Sequence, residues 1–106
     1  MESIGTKKKY KDSMNSLASL SCYNALKRGK TSVFSEHDED ANGIMGEVNE
    51  FLLASEERMS EHLPDYTEAQ EELADVLISC MTELFKRGVN VDDIVRRKIA
   101  FNESRV

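Results

Sequence analysis

The sequence has no tryptophan, a single proline, two cysteines, and no apolar run long enough to span a bilayer. A membrane helix needs about 20 consecutive apolar residues; here Phe51-Leu52-Leu53 is typical of the stretches available. Cys22 and Cys80 lie far apart, among apolar neighbours and without a CxxC pair. That argues against a disulfide or a zinc site and predicts buried, reduced thiols in a cytoplasmic protein. No apolar stretch follows Lys7-Lys8-Lys9, so no secretory signal is expected. A formal net charge of −6 disfavours nonspecific binding to nucleic acid or to an anionic membrane. If the chain handles a phosphate compound, a cation is expected to mediate.

What remains is a 106-residue chain of ordinary globular composition, enough for one buried core without staples. With one proline and few alternating β-branched runs, it reads as four helices. The first is expected from about Tyr10 to Lys27, carrying Met14, Ala18, Cys22 and Ala25 on one face and ending before Gly29. The second runs from about Asp38 to His62, acidic in its first turn as the helix dipole prefers. Past Pro64, Asp65 and Glu68 form a capping pair for the third, which reaches Arg87 and stops at Gly88. The fourth starts near Asn90 and carries Ile94, Val95, Ile99 and Phe101. Residues 1–8 are expected to be a flexible N-terminus, and residues 9–106 a single helical domain. Short connections favour antiparallel neighbours, so the expected fold is all-α, a compact four-helix bundle.

The informative feature is acidic. On a helical wheel, Glu47 and Glu50 fall beside the apolar arc of Ile44, Val48, Phe51 and Leu52 rather than opposite it. Glu72 and Asp75 stand in the same phase beside Ala69, Leu73, Val76, Leu77 and Cys80. The stretch from Gly46 to Ala54 therefore maps onto that from Glu71 to Ser79. Each acid pair is spaced i,i+3 on one helix face, flanking the seam where the two helices would meet. Carboxylates at a core edge repel one another and lose hydration unless something neutralises them. Oxygen-only ligands suit a hard cation, and Mg²⁺ is the usual choice where a substrate phosphate completes the shell. The competing reading of either pair alone is a solvated helix face.

Other metal chemistries fit less well. A di-iron bundle needs Glu-x-x-His, but Phe34 precedes His37 by three and Met59 precedes His62 by three. Zinc is disfavoured because neither histidine nor cysteine is expected to cluster with the acids. Asp38 to Gly43 opens like an EF-hand loop, yet its twelfth position is Asn49 and no second loop exists to pair with it.

Near the C-terminus, Lys98, Asn102 and Arg105 share one helix face at i, i+4 and i+7. Two cations and an amide in a row suit phosphate oxygens, although cations toward a helix C-terminus also serve its dipole. The ordered set Glu47-x-x-Glu50, Glu72-x-x-Asp75 and Lys98-x-x-x-Asn102-x-x-Arg105 resembles the MazG-like nucleoside triphosphate pyrophosphohydrolases. These belong to the all-α NTP pyrophosphatase superfamily, which includes the dimeric dUTPases. The resemblance extends from about Phe34 to Arg105.

The resemblance implies an all-α NTP pyrophosphatase fold completed by oligomerisation, as a homodimer or homotetramer with sites near subunit contacts. It implies Mg²⁺-dependent hydrolysis of a nucleoside triphosphate, a dNTP or an aberrant NTP, to the monophosphate and pyrophosphate, with Mn²⁺ as a possible substitute. Glu47, Glu50, Glu72 and Asp75 would hold the metal, and Glu50 is the candidate for taking the proton from the attacking water. Lys98, Asn102 and Arg105 would contact the phosphates. Two departures stand out. Gly46 occupies a position where the family often has a further acid, and there is no tryptophan to stack on a base. Phe34, His37 and Tyr23 are the candidates for the base pocket. The alternative is a non-catalytic helical oligomer that keeps the fold and its nucleotide or metal binding.

Overall fold

The computed structural model describes residues 13–27 and 37–105, apart from the side chains of Leu26 and of residues 37–40. The expected flexible N-terminus, Phe34, Gly29 and the His37 side chain lie outside that description. Four helices follow in order: α1 Met14–Lys27, α2 His37–Leu53, α3 Glu68–Lys86 and α4 Val91–Glu103. No strand is present among the described residues; one isolated bridge pairs Met59 with Thr67. No described helix is long and apolar enough to cross a membrane.

The all-α expectation holds, but the helices do not surround one common core. α3 is the hub: α2 lies along it, α1 packs on it and on α4, and α2 meets neither α1 nor α4 among the described residues. The core forms where α1, α3 and α4 converge. Ala18, Met81 and Val91 are buried there, with Met14, Leu84, Phe85 and Val95 packed against them. Thr82 Oγ donates to Ser21 Oγ at 3.0 Å beside this junction.

α1 and α4 cap each other. The Asp92 carboxylate accepts the first two amides of α1, from Met14 at 2.9 Å and Asn15 at 3.3 Å. Ser13 Oγ takes the third, from Ser16. In return Asn15 Oδ1 accepts the first amide of α4, from Val91 at 2.7 Å, while Asn90 Oδ1 accepts the Asp93 amide. Each helix thus meets part of its orphan donors with the other's side chain and part with its own flanking residue.

Two boundaries differ from expectation. α2 stops at Leu53 rather than reaching His62. Ser55 Oγ accepts the amides of Glu57 and Arg58, at 3.1 and 2.8 Å, which offers the backbone a turn in place of another helical step. α3 is capped not by Asp65 and Glu68 but by Thr67 and Gln70 in a reciprocal capping box. At its other end Arg87 caps the helix and Gly88 takes a φ of +79°, a conformation that costs glycine nothing.

The apolar faces are also less covered than the pattern suggests. Leu73 and Leu77 are about half exposed, Leu52 and Leu53 more so. Cys22 is buried, but Cys80 is exposed, contrary to expectation; both are free thiols. On α4, Val91 and Val95 face the core, whereas Ile94, Ile99 and Phe101 stand in the open. Residues 38–43, the EF-hand-like stretch, lie within α2 and form no calcium loop.

Candidate metal centre between α2 and α3

Laying α2 along α3 brings two of the predicted acid lanes together. Glu47 and Glu50 of α2 and Glu72 of α3 each present a ligand atom, and these atoms lie within 4.8 Å of one another. The fourth predicted acid, Asp75, stands beyond that group, one turn along α3 from Glu72. Glu50 is exposed, whereas Glu47, Glu72 and Asp75 are partly covered. The Oε1 atom of Glu72 is buried without a hydrogen-bond partner among the described residues.

The electrostatics follow from that crowding. Burial pushes the Glu72 carboxyl above its usual range, and the charges of Asp75, Glu50, Glu71 and Glu47 add to the shift. Burial also raises Asp75, reinforced by Glu71 and Glu50 and opposed by His62. A carboxylate oxygen removed from water, unpaired and surrounded by like charges, favours a proton or a cation beside it. Three converging carboxylates with one such oxygen fit a hard divalent cation.

A second layer, which the spacing does not predict, holds this end of α3 in place. Glu71 accepts hydrogen bonds from Ser60 Oγ and from His62, whose Nδ1 lies 2.9 Å away. These contacts hold the Glu71 carboxyl below its usual range. Ser60 is only 3% exposed, and its oxygen also accepts the amides of His62 and Leu63, both at 3.0 Å. Ser60 in turn donates its amide to the Tyr66 carbonyl. Arg58 closes the loop's other side through a 2.7 Å ion pair with Glu68. Among the described residues no histidine or cysteine joins the three-acid group; His62 sits instead beside Glu71, where its charge also acts on Asp75. Ser60 and His62 are missed by a periodicity search because a loop, not a helix, brings them to Glu71.

The predicted phosphate row forms its own cluster on α4. Lys98 Nζ lies 4.9 Å from the centre of the Phe101 ring, and the Arg105 guanidinium carbon lies 5.7 Å from it. Arg105 also donates to Asn102 Oδ1 at 3.3 Å. All four side chains are exposed. The structure thus assembles Lys98, Asn102 and Arg105 with one another, on a helix that does not touch α2 among the described residues. Of the base-pocket candidates, Tyr23 is exposed on α1 with Lys27 over its ring at 5.5 Å. Phe34 and the His37 side chain lie outside the described residues.

Gly46 sits on α2 one residue before Glu47, and a Cβ built there meets nothing within 4 Å. The missing acid is therefore not excluded by packing. Comparison with protein-family models, with curated proteins and with solved structures gives no match.

Proposed function

We propose that the chain is a Mg²⁺-dependent nucleoside triphosphate pyrophosphohydrolase, acting on a dNTP or an aberrant NTP and releasing the monophosphate and pyrophosphate. The observation that carries this reading is the convergence of Glu47, Glu50 and Glu72, the last of which holds a buried carboxylate oxygen without a hydrogen-bond partner among the described residues. Glu47, Glu50, Glu72 and Asp75 would hold the ion. When bound, Mg²⁺ offsets the charge of the triphosphate and the charge that grows on departing pyrophosphate. Glu50 is the exposed member of the converging group, so its carboxylate has the access to water needed to accept a proton from the nucleophile. Lys98, Asn102 and Arg105 would receive phosphate oxygens, Arg105 through paired donors and Lys98 as a point charge.

The same reading includes a cytoplasmic homodimer or homotetramer. Leu73, Leu77 and Cys80 line, with Gln70, Ala74 and Val76, an apolar groove of about 580 Å³ on α3. A second copy covering it would remove apolar surface from water, and could also bring an α4 cation row toward another copy's acids. The free thiols accord with a reducing compartment.

The test is pyrophosphate release from a panel of canonical and damaged nucleoside triphosphates, with Mg²⁺, with Mn²⁺ and with EDTA. Metal-dependent release with monophosphate as co-product is expected, and the ranking gives the substrate class. A second reading is favoured by Gly46: a non-catalytic oligomer that retains nucleotide or metal binding. Because a side chain at position 46 meets open space, Gly46→Glu separates the two. Turnover that appears only in this variant means the natural chain binds without hydrolysing.

A further inference from the structure

Resting on the reading of the acid pole as a metal and triphosphate site, we propose that His62 is a phosphate-contacting residue, presented by the Ser60–Glu71 clamp through its Nε2 edge.

The loop of residues 54–67 is held in one shape for little gain in core burial. Its one buried side chain is Ser60, and that hydroxyl is saturated: it donates to the Glu71 carboxylate and accepts the amides of His62 and Leu63. The same contacts fix the backbone that carries His62. The ring is then fixed by its Nδ1 against the second oxygen of Glu71, at 2.9 Å. With Nδ1–H given to Glu71, Nε2 on the opposite edge of the imidazole carries a proton, and so donates, when the ring is the imidazolium cation, the form that the Glu71 hydrogen bond favours. The side chain is 82% exposed, so that edge is open to a ligand.

Its position fits phosphate better than solvent. Glu71 neighbours Glu72 in sequence and lies one helical turn before Asp75. His62 acts on the Asp75 carboxyl against the push of its acidic neighbours, which places the imidazole within the field of the same acid pole. Every other charge that shifts Glu72 or Asp75 is an acid on α2 or α3. A triphosphate arriving with its cation would still bring excess negative charge to a negative surface. An imidazole held by a carboxylate is suited to receive it, because the partner fixes the ring and favours its charged form. An exposed histidine–glutamate pair contributes little to stability, so a buried serine hub is more than stability alone requires.

Isothermal titration of the full-length protein with inorganic tripolyphosphate plus Mg²⁺, and with Mg²⁺ alone, tests the assignment. Tripolyphosphate carries the phosphate chemistry without a base. His62→Ala should weaken its binding by about tenfold, the loss of one charge-assisted hydrogen bond, and leave Mg²⁺ affinity and melting temperature unchanged. His62→Gln, which retains an N–H donor, should recover part of the loss. Ser60→Ala, which loosens the clamp but leaves the ring, should weaken binding by a smaller factor. Equal tripolyphosphate affinity in wild type and His62→Ala overturns the inference while leaving the hydrolase reading intact. Weakened Mg²⁺ affinity in His62→Ala also overturns it, because the ring then serves the ion. If the wild type binds no Mg²⁺–tripolyphosphate, the reading of the acid pole fails, and the role of His62 fails with it.

Discussion

Two covered glutamates on one helix have opposite surroundings. Glu83, near the C-terminal end of α3, is buried beside the three-helix core and paired with Arg87 and Lys86. Glu72, three turns earlier, has four acids as its electrostatic neighbours. The first arrangement is what a fold does with an acid it must bury: it supplies counter-charges within a turn. The second withholds them. α3 thus carries stability at one end and unmet charge at the other, and the unmet charge is where a ligand can be recognised.

The largest effect should come from breaking the paired end. Glu83→Ala removes the carboxylate facing Arg87 and the deeply placed Lys86, at a cost of about 3 kcal/mol. Urea denaturation measures it, and a loss below about 1 kcal/mol would mean that the pair is not structural. Next is the start of α3, where Thr67→Ala removes one half of the capping box and should cost about 1 kcal/mol. The smallest effect has the opposite sign. In EDTA, Glu72→Gln should stabilise the protein by a few tenths of a kcal/mol, since it removes a charge from a like-charged group. Because the folded-state pKa of Glu72 is raised, its stability contribution is fully present below the ordinary carboxylate value and lost as pH climbs through the shifted one. The advantage of the variant should therefore grow with rising pH in that window and vanish under acid conditions. With Mg²⁺ present the order should reverse: the ion raises the wild-type melting temperature and leaves the variant unchanged. Equal Mg²⁺ effects on the two proteins would remove Glu72 from the metal centre.

The helices were legible wherever local chemistry sets them. Asn90 and Gly88 mark the turn between α3 and α4 because an N-cap and a positive φ are properties of single residues. The acid pairs were legible because a fixed 100° step puts i and i+3 on one face whatever the tertiary structure. The end of α2 was not. Glu56 to His62 carries enough helix formers to extend a helical reading, but the Ser55 hydroxyl takes two amides and Arg58 and Ser60 tie the segment to α3, so the chain turns. Nor was the degree of burial: the α3 stripe of Leu73, Leu77 and Cys80 has core composition but faces outward, since periodicity reveals which residues share a face and not what covers that face. The Ser60–His62–Glu71 clamp belongs to the same blind spot. The residues that form it are joined by a loop whose path only tertiary packing determines.

The reciprocal caps of α1 and α4 have a consequence for how the molecule opens. Met14 and Asn15 lend their amides to Asp92, and Val91 lends its own to Asn15, across a sequence separation of 76 or more positions. Each helix loses part of its first-turn capping once the other has left. Hydrogen exchange at the Met14, Asn15 and Val91 amides should therefore report one shared opening event, slow and nearly equal at all three sites. A helix that frays on its own would exchange fastest at its first amides. The start of α1 and the start of α4 are in this sense a single kinetic unit, expected to join late in folding because their contact closes a loop of 76 or more positions.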